Sequence, residues 1–115
     1  MNERFERQSL IIGEDATNTL KKKRVALFGV GGVGSYAAEA LARCGVGHVT
    51  LVDNDVVSVS NINRQLCALT STVGFPKVEV TAARMRDINP DIDVKTLQCF
   101  FLPENADSFD FSEYD

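Results

Sequence analysis

Short apolar runs alternate with a longer stretch of helical character along the first half of the chain. Arg24-Val-Ala-Leu-Phe28 is apolar, contains a β-branched residue and breaks off at glycines, so it reads as a buried parallel strand. Ser35 to Cys44 is rich in Ala and Leu and free of Gly and Pro, which predicts a helix; Gly45 is placed to end it and Gly47 keeps the turn short. His48-Val-Thr-Leu-Val52 follows as a second strand. Residues 24–53 therefore read as one β-α-β unit, right-handed by the general rule for parallel crossovers.

Asp53 to Thr72 has no regular apolar period apart from a helical turn near Asn61 to Leu66, and is expected to be a long functional loop. Pro76 sits where a helix begins, and Val78, Ala82, Met85 and Ile88 recur at helical spacing until Asn89-Pro90 stops the pattern. Val94 to Phe101 predicts a third strand. The fold class is thus α/β: the N-terminal part of a Rossmann-like, doubly wound, mostly parallel sheet, with three to four strands and a polar helical segment ahead of it. Two regions result, 1–23 and 24–115. Phe109 to Asp115 resembles the lead-in to a further strand, so the sequence is expected to be a truncated form of a longer protein.

Composition narrows the class. With 115 residues, 44% hydrophobic and 24% charged, a disordered or fibrous chain is excluded. No apolar stretch approaches the roughly 20 residues of a membrane helix, and Met1 is followed by Asn2, Glu3 and Arg4 rather than a basic-then-apolar signal, which points to the cytoplasm and no membrane. The net charge of -4 is unevenly spread: acidic residues dominate only after residue 90, so an anionic ligand elsewhere is not excluded. Cys44, Cys67 and Cys99 are widely spaced with only His48 as an imidazole partner, and support neither a disulfide framework nor a zinc site. Cys44 is expected in helix packing, Cys67 as a small apolar filler, Cys99 in strand core, and His48 at a strand start on the surface.

Gly29, Gly31 and Gly34 fit G-x-G-x-x-G between a predicted strand and a predicted helix. The first permits a tight turn, the second lets backbone amides approach a phosphate, and the third lets helix and strand pack closely. Asp53, at the carboxyl end of the second strand, stands where an acidic side chain accepts hydrogen bonds from ribose hydroxyls, which alone would favour NAD. Asn61-Ile-Asn-Arg-Gln65 and Lys77 change the balance. Lys77 comes second in a helix opened by Pro76, where the positive end of the dipole disfavours a cation unless something anionic compensates. A triphosphate calls for dedicated Arg and Lys partners, so Arg64 and Lys77 favour ATP. Lys21-Lys-Lys-Arg24 could touch phosphates, but a charged flank ahead of a strand is the simpler explanation.

These motifs, with Arg4-Phe-Glu-Arg-Gln8, Leu51-Val-Asp-Asn-Asp55, Ser60 to Gln65, Val73-Gly-Phe-Pro-Lys77 and Ile88-Asn-Pro90, resemble in order the ThiF/MoeB/HesA superfamily, the adenylating relatives of ubiquitin-activating enzymes. Ser35 to Arg43 and Phe101 to Asn105 look most like its branch that dehydrates threonylcarbamoyladenosine in tRNA. The resemblance implies an ATP-dependent enzyme that attacks the α-phosphate with a carboxylate and releases pyrophosphate. Gly29, Gly31, Gly32 and Gly34 would lie against the nucleotide, Asp53 would hold the ribose, and Arg64 and Lys77 would clamp the phosphates. Asn61 and Gln65 would contact the nucleotide too, and Asp55 matches a second acidic position. Arg7 would reach into the partner's site of a homodimer. No side-chain nucleophile is needed, because the first step rests on preorganised cations. The magnesium-binding aspartate is expected beyond residue 115, so no metal ligand is assigned and the chain alone is expected to be inactive. Two readings stay open beside tRNA: a ubiquitin-like sulfur carrier whose C-terminal glycine is adenylated, and, in another class, an NAD-binding oxidoreductase domain.

Overall fold

His48–Val52 is the most deeply buried strand, with Val49, Thr50, Leu51 and Val52 all buried, and a strand covered on both faces must sit between two others. In the computed structural model, which describes residues 2–115, it does. β1 (Arg24–Phe28), β2 (His48–Val52) and β3 (Asp93–Leu97) form a parallel sheet in that order. The helices are α1 (Glu6–Ile12), α2 (Glu14–Leu20), α3 (Gly32–Cys44) and α4 (Lys77–Ile88).

The register sets Val25, Val49 and Val94 side by side, with Leu27, Leu51 and Thr96 in the next row. These rows meet Ala38 and Ala42 of α3 and Val78, Ala82 and Met85 of α4 in one core. Because both crossovers turn the same way, both helices cover the same face. Small residues on α3 let it approach the sheet, and each large buried side chain contributes about 2 kcal/mol. At the surface Glu39 of α3 accepts from Arg84 of α4 at 2.6 and 3.1 Å and from Arg43 at 2.9 Å, clasping the two helices together. Arg84 and Arg43 hold the Glu39 carboxyl below its ordinary value of 4.5.

The opposite face carries residues of the chain's last stretch. Phe28, Phe101, Phe109 and Phe111 form a cluster with ring centroids 5.1 to 6.1 Å apart. The Tyr114 hydroxyl donates to Thr50 at 3.1 Å. The strand lead-in expected over Phe109 to Asp115 is instead a 3-10 turn, Phe111–Glu113. Asp110 favours that turn by accepting from the Ser112 amide. Asp115 pairs with the free edge of β1, its N–H donating to the Arg24 carbonyl at 2.7 Å.

Other boundaries moved for local reasons. α3 starts at Gly32 rather than Ser35, because the glycine loop winds the first turn itself. β1 is only half-buried, being an edge strand here. β3 ends at Leu97 rather than Phe101: the Cys99 N–H turns back onto the Leu97 carbonyl, and Phe101 leaves for the aromatic cluster. Cys99 is therefore half-buried beyond the strand, and Cys44 is exposed rather than packed. Gly45 ends α3 in the left-handed conformation, φ 88°, as expected of it. Phe5, 2% exposed, packs against Gly45, and Gln8 donates to the Cys44 carbonyl at 2.8 Å, which seats the N-terminal segment on the end of α3. Among the described residues no helix is long and apolar enough to cross a membrane.

Two outcomes are expected. A Cβ on Gly34 would collide with the Gly29 carbonyl, whereas one on Gly32 would meet nothing within 4 Å; chemical denaturation should show Gly34→Ala losing about 3 kcal/mol and Gly32→Ala less than about 1 kcal/mol. Since the folded Glu39 carboxyl is depressed, its contribution is complete above pH 4.5 and lost as the pH falls through its lower folded value. Glu39→Gln should therefore lower stability at neutral pH by about 1 kcal/mol or less, with the difference shrinking in a denaturation series as the pH falls below 4.5 and through the lower folded value.

Candidate functional site

The connection from β1 to α3 is shaped by its glycines. Gly29 adopts φ 92°, a conformation closed to most L-residues, and its N–H continues the sheet by donating to the Val52 carbonyl at 2.8 Å. Gly34 packs its bare Cα on the Gly29 backbone, bringing helix against strand. Gly31 precedes the helix and Gly32 opens it, so the amides of this turn have no acceptor within α3 and carry the positive end of its dipole. Such a helix end receives anions.

Asp53, at the end of β2, fixes that loop. Its Oδ2 accepts from the Val30 N–H at 2.8 Å and its Oδ1 from the Asp55 N–H at 2.7 Å. One carboxylate thus joins the glycine loop to the segment after β2, and its remaining lone pairs stay available to a ligand. Between the ends of β1 and β2 lies a cleft of about 230 Å³, lined by Phe28, Gly29, Asp53, Asp55, Phe100 and Phe101 among others. A slightly larger cavity, about 260 Å³, lies at the opposite, amino ends of the strands around Arg24, His48, Asp93 and Tyr114. Ligands of open α/β sheets sit at the carboxyl ends, which favours the former.

The long loop closes on itself before α4. Val56 bridges Pro76, the Val57 N–H donates to the Phe75 carbonyl at 2.9 Å, and the Lys77 N–H donates to the Asp55 carbonyl at 3.0 Å. The helical turn expected near Asn61 to Leu66 is present, the Gln65 N–H donating to the Asn61 carbonyl at 2.9 Å, and it follows directly on the 3-10 turn Val59–Asn61. Lys77 follows Pro76 as the first residue of α4 and is 5% exposed. Its Nζ stands 3.5 Å from Asp55 Oδ2, a carboxylate 61% exposed. A buried ammonium at a helix N-terminus, with one largely solvated counter-ion, is electrostatically under-compensated.

Cys67 ties these parts together. Burial pushes its thiol up from the ordinary value, the Lys77 ammonium opposes that, and the Asp53 carboxylate adds to it. Both charges therefore act on a side chain whose Sγ donates to the Val30 carbonyl of the glycine loop at 3.6 Å. A thiol raised in this way stays protonated at neutral pH; Cys67 is a packing residue with Val57 and Ala68.

The other sequence-predicted residues are distributed as follows. Gln65 is buried with its carboxamide over Gly31, where a Cβ would lie 3.5 Å from Gln65 Nε2. Asn61 is buried and its Oδ1 accepts from Ser58 N at 2.9 Å, so that oxygen holds the loop. Arg64 is exposed and donates from Nη1 to the Ser60 carbonyl at 2.7 Å, folding back on its own turn. Arg7 is exposed on α1. His48 pairs with Asp93 at 3.2 Å at the strand start, and Lys21 to Arg24 form an exposed flank. Sequence reasoning missed Ser35, which is buried beneath the glycine loop and joins it to the 61–67 segment. A hydroxyl in an otherwise Ala-rich helix was the available signal.

Among the described residues no group of three or more His, Cys, Asp or Glu side chains is placed to hold a metal ion, and Asp53 and Asp55 are engaged with backbone amides and Lys77.

The arrangement matches known proteins. The ThiF family model covers residues 5–115. The chain is 53% identical over 109 residues to tRNA threonylcarbamoyladenosine dehydratase of Bacillus subtilis, covering 95% of this chain and 43% of that protein. Crystal structures of the Escherichia coli tRNA N6-threonylcarbamoyladenosine dehydratase superpose with TM-score 0.92 in complex with AMP and 0.90 in complex with ATP. The first is 43% identical and covers 96% of this chain and 45% of that one; the second is 44% identical and covers 92% and 44%. The chain thus spans less than half the length of these relatives.

Removing the Asp53 carboxylate leaves two backbone N–H groups without their acceptor. Asp53→Ala is expected to cost about 2 kcal/mol in chemical denaturation, and to speed amide exchange at Val30 and Asp55 while the β2 core amides stay protected.

Proposed function

Since the chain belongs to the ThiF family, we propose that it is the nucleotide-binding part of an ATP-dependent enzyme that adenylates a carboxylate. The observation that carries this reading is the buried Lys77 ammonium, 3.5 Å from Asp55, a residue that lines the cleft together with Gly29 and Asp53. Two phosphates need little beyond amides and a helix end. A third adds charge that a fixed cation offsets, and Lys77 is placed to supply it.

The residues take these roles. Gly31 and Gly32 admit the phosphates to the loop amides, and Gly29 and Gly34 give the loop its shape. Asp53 accepts from the ribose with lone pairs that Val30 and Asp55 leave free. Lys77 exchanges Asp55 for phosphate oxygen, and Arg64 gives up the Ser60 carbonyl to do the same. Gln65 and Asn61 line the approach, and Asp55 keeps Lys77 in place until nucleotide arrives. As the substrate carboxylate attacks the α-phosphate, charge accumulates on the departing pyrophosphate, and cations already in position stabilise it.

The substrate we favour is the carboxylate of threonylcarbamoyladenosine in tRNA. This rests on the identity to dehydratases of that name and on their AMP and ATP complexes. Adenylation makes AMP the leaving group; a nucleophile within the same modified residue displaces it and closes a ring, so that one water is lost overall. The complete protein acts in the cytoplasm as a homodimer, Arg7 reaching the partner's site. A ubiquitin-like sulfur carrier is the competing acceptor.

Titration of the chain with ATP and with NAD, followed by thermal unfolding, is expected to show stabilisation by ATP alone. Lys77→Ala and Arg64→Ala should each weaken ATP binding by about tenfold or more. Stabilisation by NAD that is indifferent to both substitutions would overturn the adenylation reading in favour of a dinucleotide-binding domain. In the full-length protein, AMP formation stimulated by threonylcarbamoyladenosine tRNA supports the tRNA substrate; stimulation by a sulfur carrier instead replaces it.

A further inference from the structure

Ser35 lies in the first turn of α3 and is 3% exposed. Its Oγ donates to the Gly31 carbonyl at 2.5 Å, an acceptor it shares with its own backbone N–H at 3.1 Å. The same oxygen accepts from the Leu66 N–H at 3.2 Å. A hydroxyl has one proton and two lone pairs, so both bonds are made at once. The first is the ordinary back-bond of a helical serine. The second reaches a segment distant in sequence and gives Ser35 a task that alanine, the better helix former, could not perform.

Leu66 directly follows Arg64 and Gln65. On its other side Cys67 makes the second tie, from Sγ to the Val30 carbonyl at 3.6 Å. The glycine loop and the Arg64-bearing segment are thus fastened at two points, of which the hydroxyl bond is the shorter and stronger. The space behind it, between Ser35, Glu39, Leu66, Cys67, Thr81 and Arg84, is about 10 Å³. That is near the lower limit for a single water, so solvent has little room to replace the bond.

We infer that Ser35 is a positioning residue: its hydroxyl sets the Arg64–Gln65 segment at a fixed height over the glycine loop, so that side-chain donors from the one and backbone amides from the other meet the same phosphates. This role rests on the proposed nucleotide site. Ser35 touches no phosphate; it acts through Leu66 on Arg64 and Gln65.

The test uses this chain with Ser35→Ala, Arg64→Ala and the double variant, with ATP as the probe. Ser35→Ala removes one oxygen and fills the helix site with a good helix former, so folding is retained; an unchanged exchange pattern at the β2 amides verifies it. The expected results are faster amide exchange at Leu66, ATP affinity lower by about tenfold, and a double variant little weaker than Arg64→Ala alone. Affinity losses that simply multiply would overturn the positioning role, because they show Ser35 acting independently of Arg64. Faster exchange at Leu66 with unchanged affinity would overturn it as well. If the unsubstituted chain ignores ATP, the nucleotide reading fails first and this role fails with it, an outcome distinct from the other two.

Discussion

One carboxylate holds the site in register. Asp53 accepts from Val30 on one side and Asp55 on the other, so the loop that follows β1 and the loop that follows β2 cannot move apart without breaking a charge-assisted bond. Everything else at the carboxyl end of the sheet is arranged relative to that bridge. The glycine loop brings its amides to one side. Asp55, fixed from the other, accepts from the Lys77 backbone N–H and stands beside the Lys77 ammonium. An acidic residue in the position often associated with ribose recognition is thus also the structural joint of the pocket.

That joint explains why a cation tolerates burial at the start of α4. Lys77 is seated among Pro76, the Asp55 carbonyl and the loop around Cys67 by backbone bonds and packing that do not depend on its charge. Its charge is opposed by the helix dipole and only weakly answered by an exposed Asp55. The fold therefore stores an unmet electrostatic demand beside the glycine loop, which the polyphosphate of the proposed function would meet.

Where sequence and structure agree, short-range physics decided the outcome. β2, α4 and the glycine turn were legible because burial, helical periodicity and the conformation of Gly29 are each written in adjacent residues. What was not legible depends on distant partners. The end of β3 and the fate of Phe109 to Asp115 are set by aromatic packing on Phe28, which no local pattern announces. The exposure of β1 follows from its edge position, known only once strand order is. At the site, Lys77 was readable as an uncompensated cation at the start of a helix, whereas the backbone engagement of Asp53, the inward turn of Asn61 and the bond from Arg64 to Ser60 required coordinates.

The central claim is that the glycine-loop amides and the Lys77 ammonium form one anion site joined through Asp53. Nuclear magnetic resonance of the isotopically labelled chain during an ATP titration tests it most directly. The account predicts that the backbone amides of Gly31 and Gly32 and the Lys77 Nζ resonance shift together, on a single binding curve that inorganic triphosphate reproduces. Shifts of the glycine amides that leave Lys77 undisturbed, or perturbations confined to the cavity at the amino ends of the strands, would contradict it.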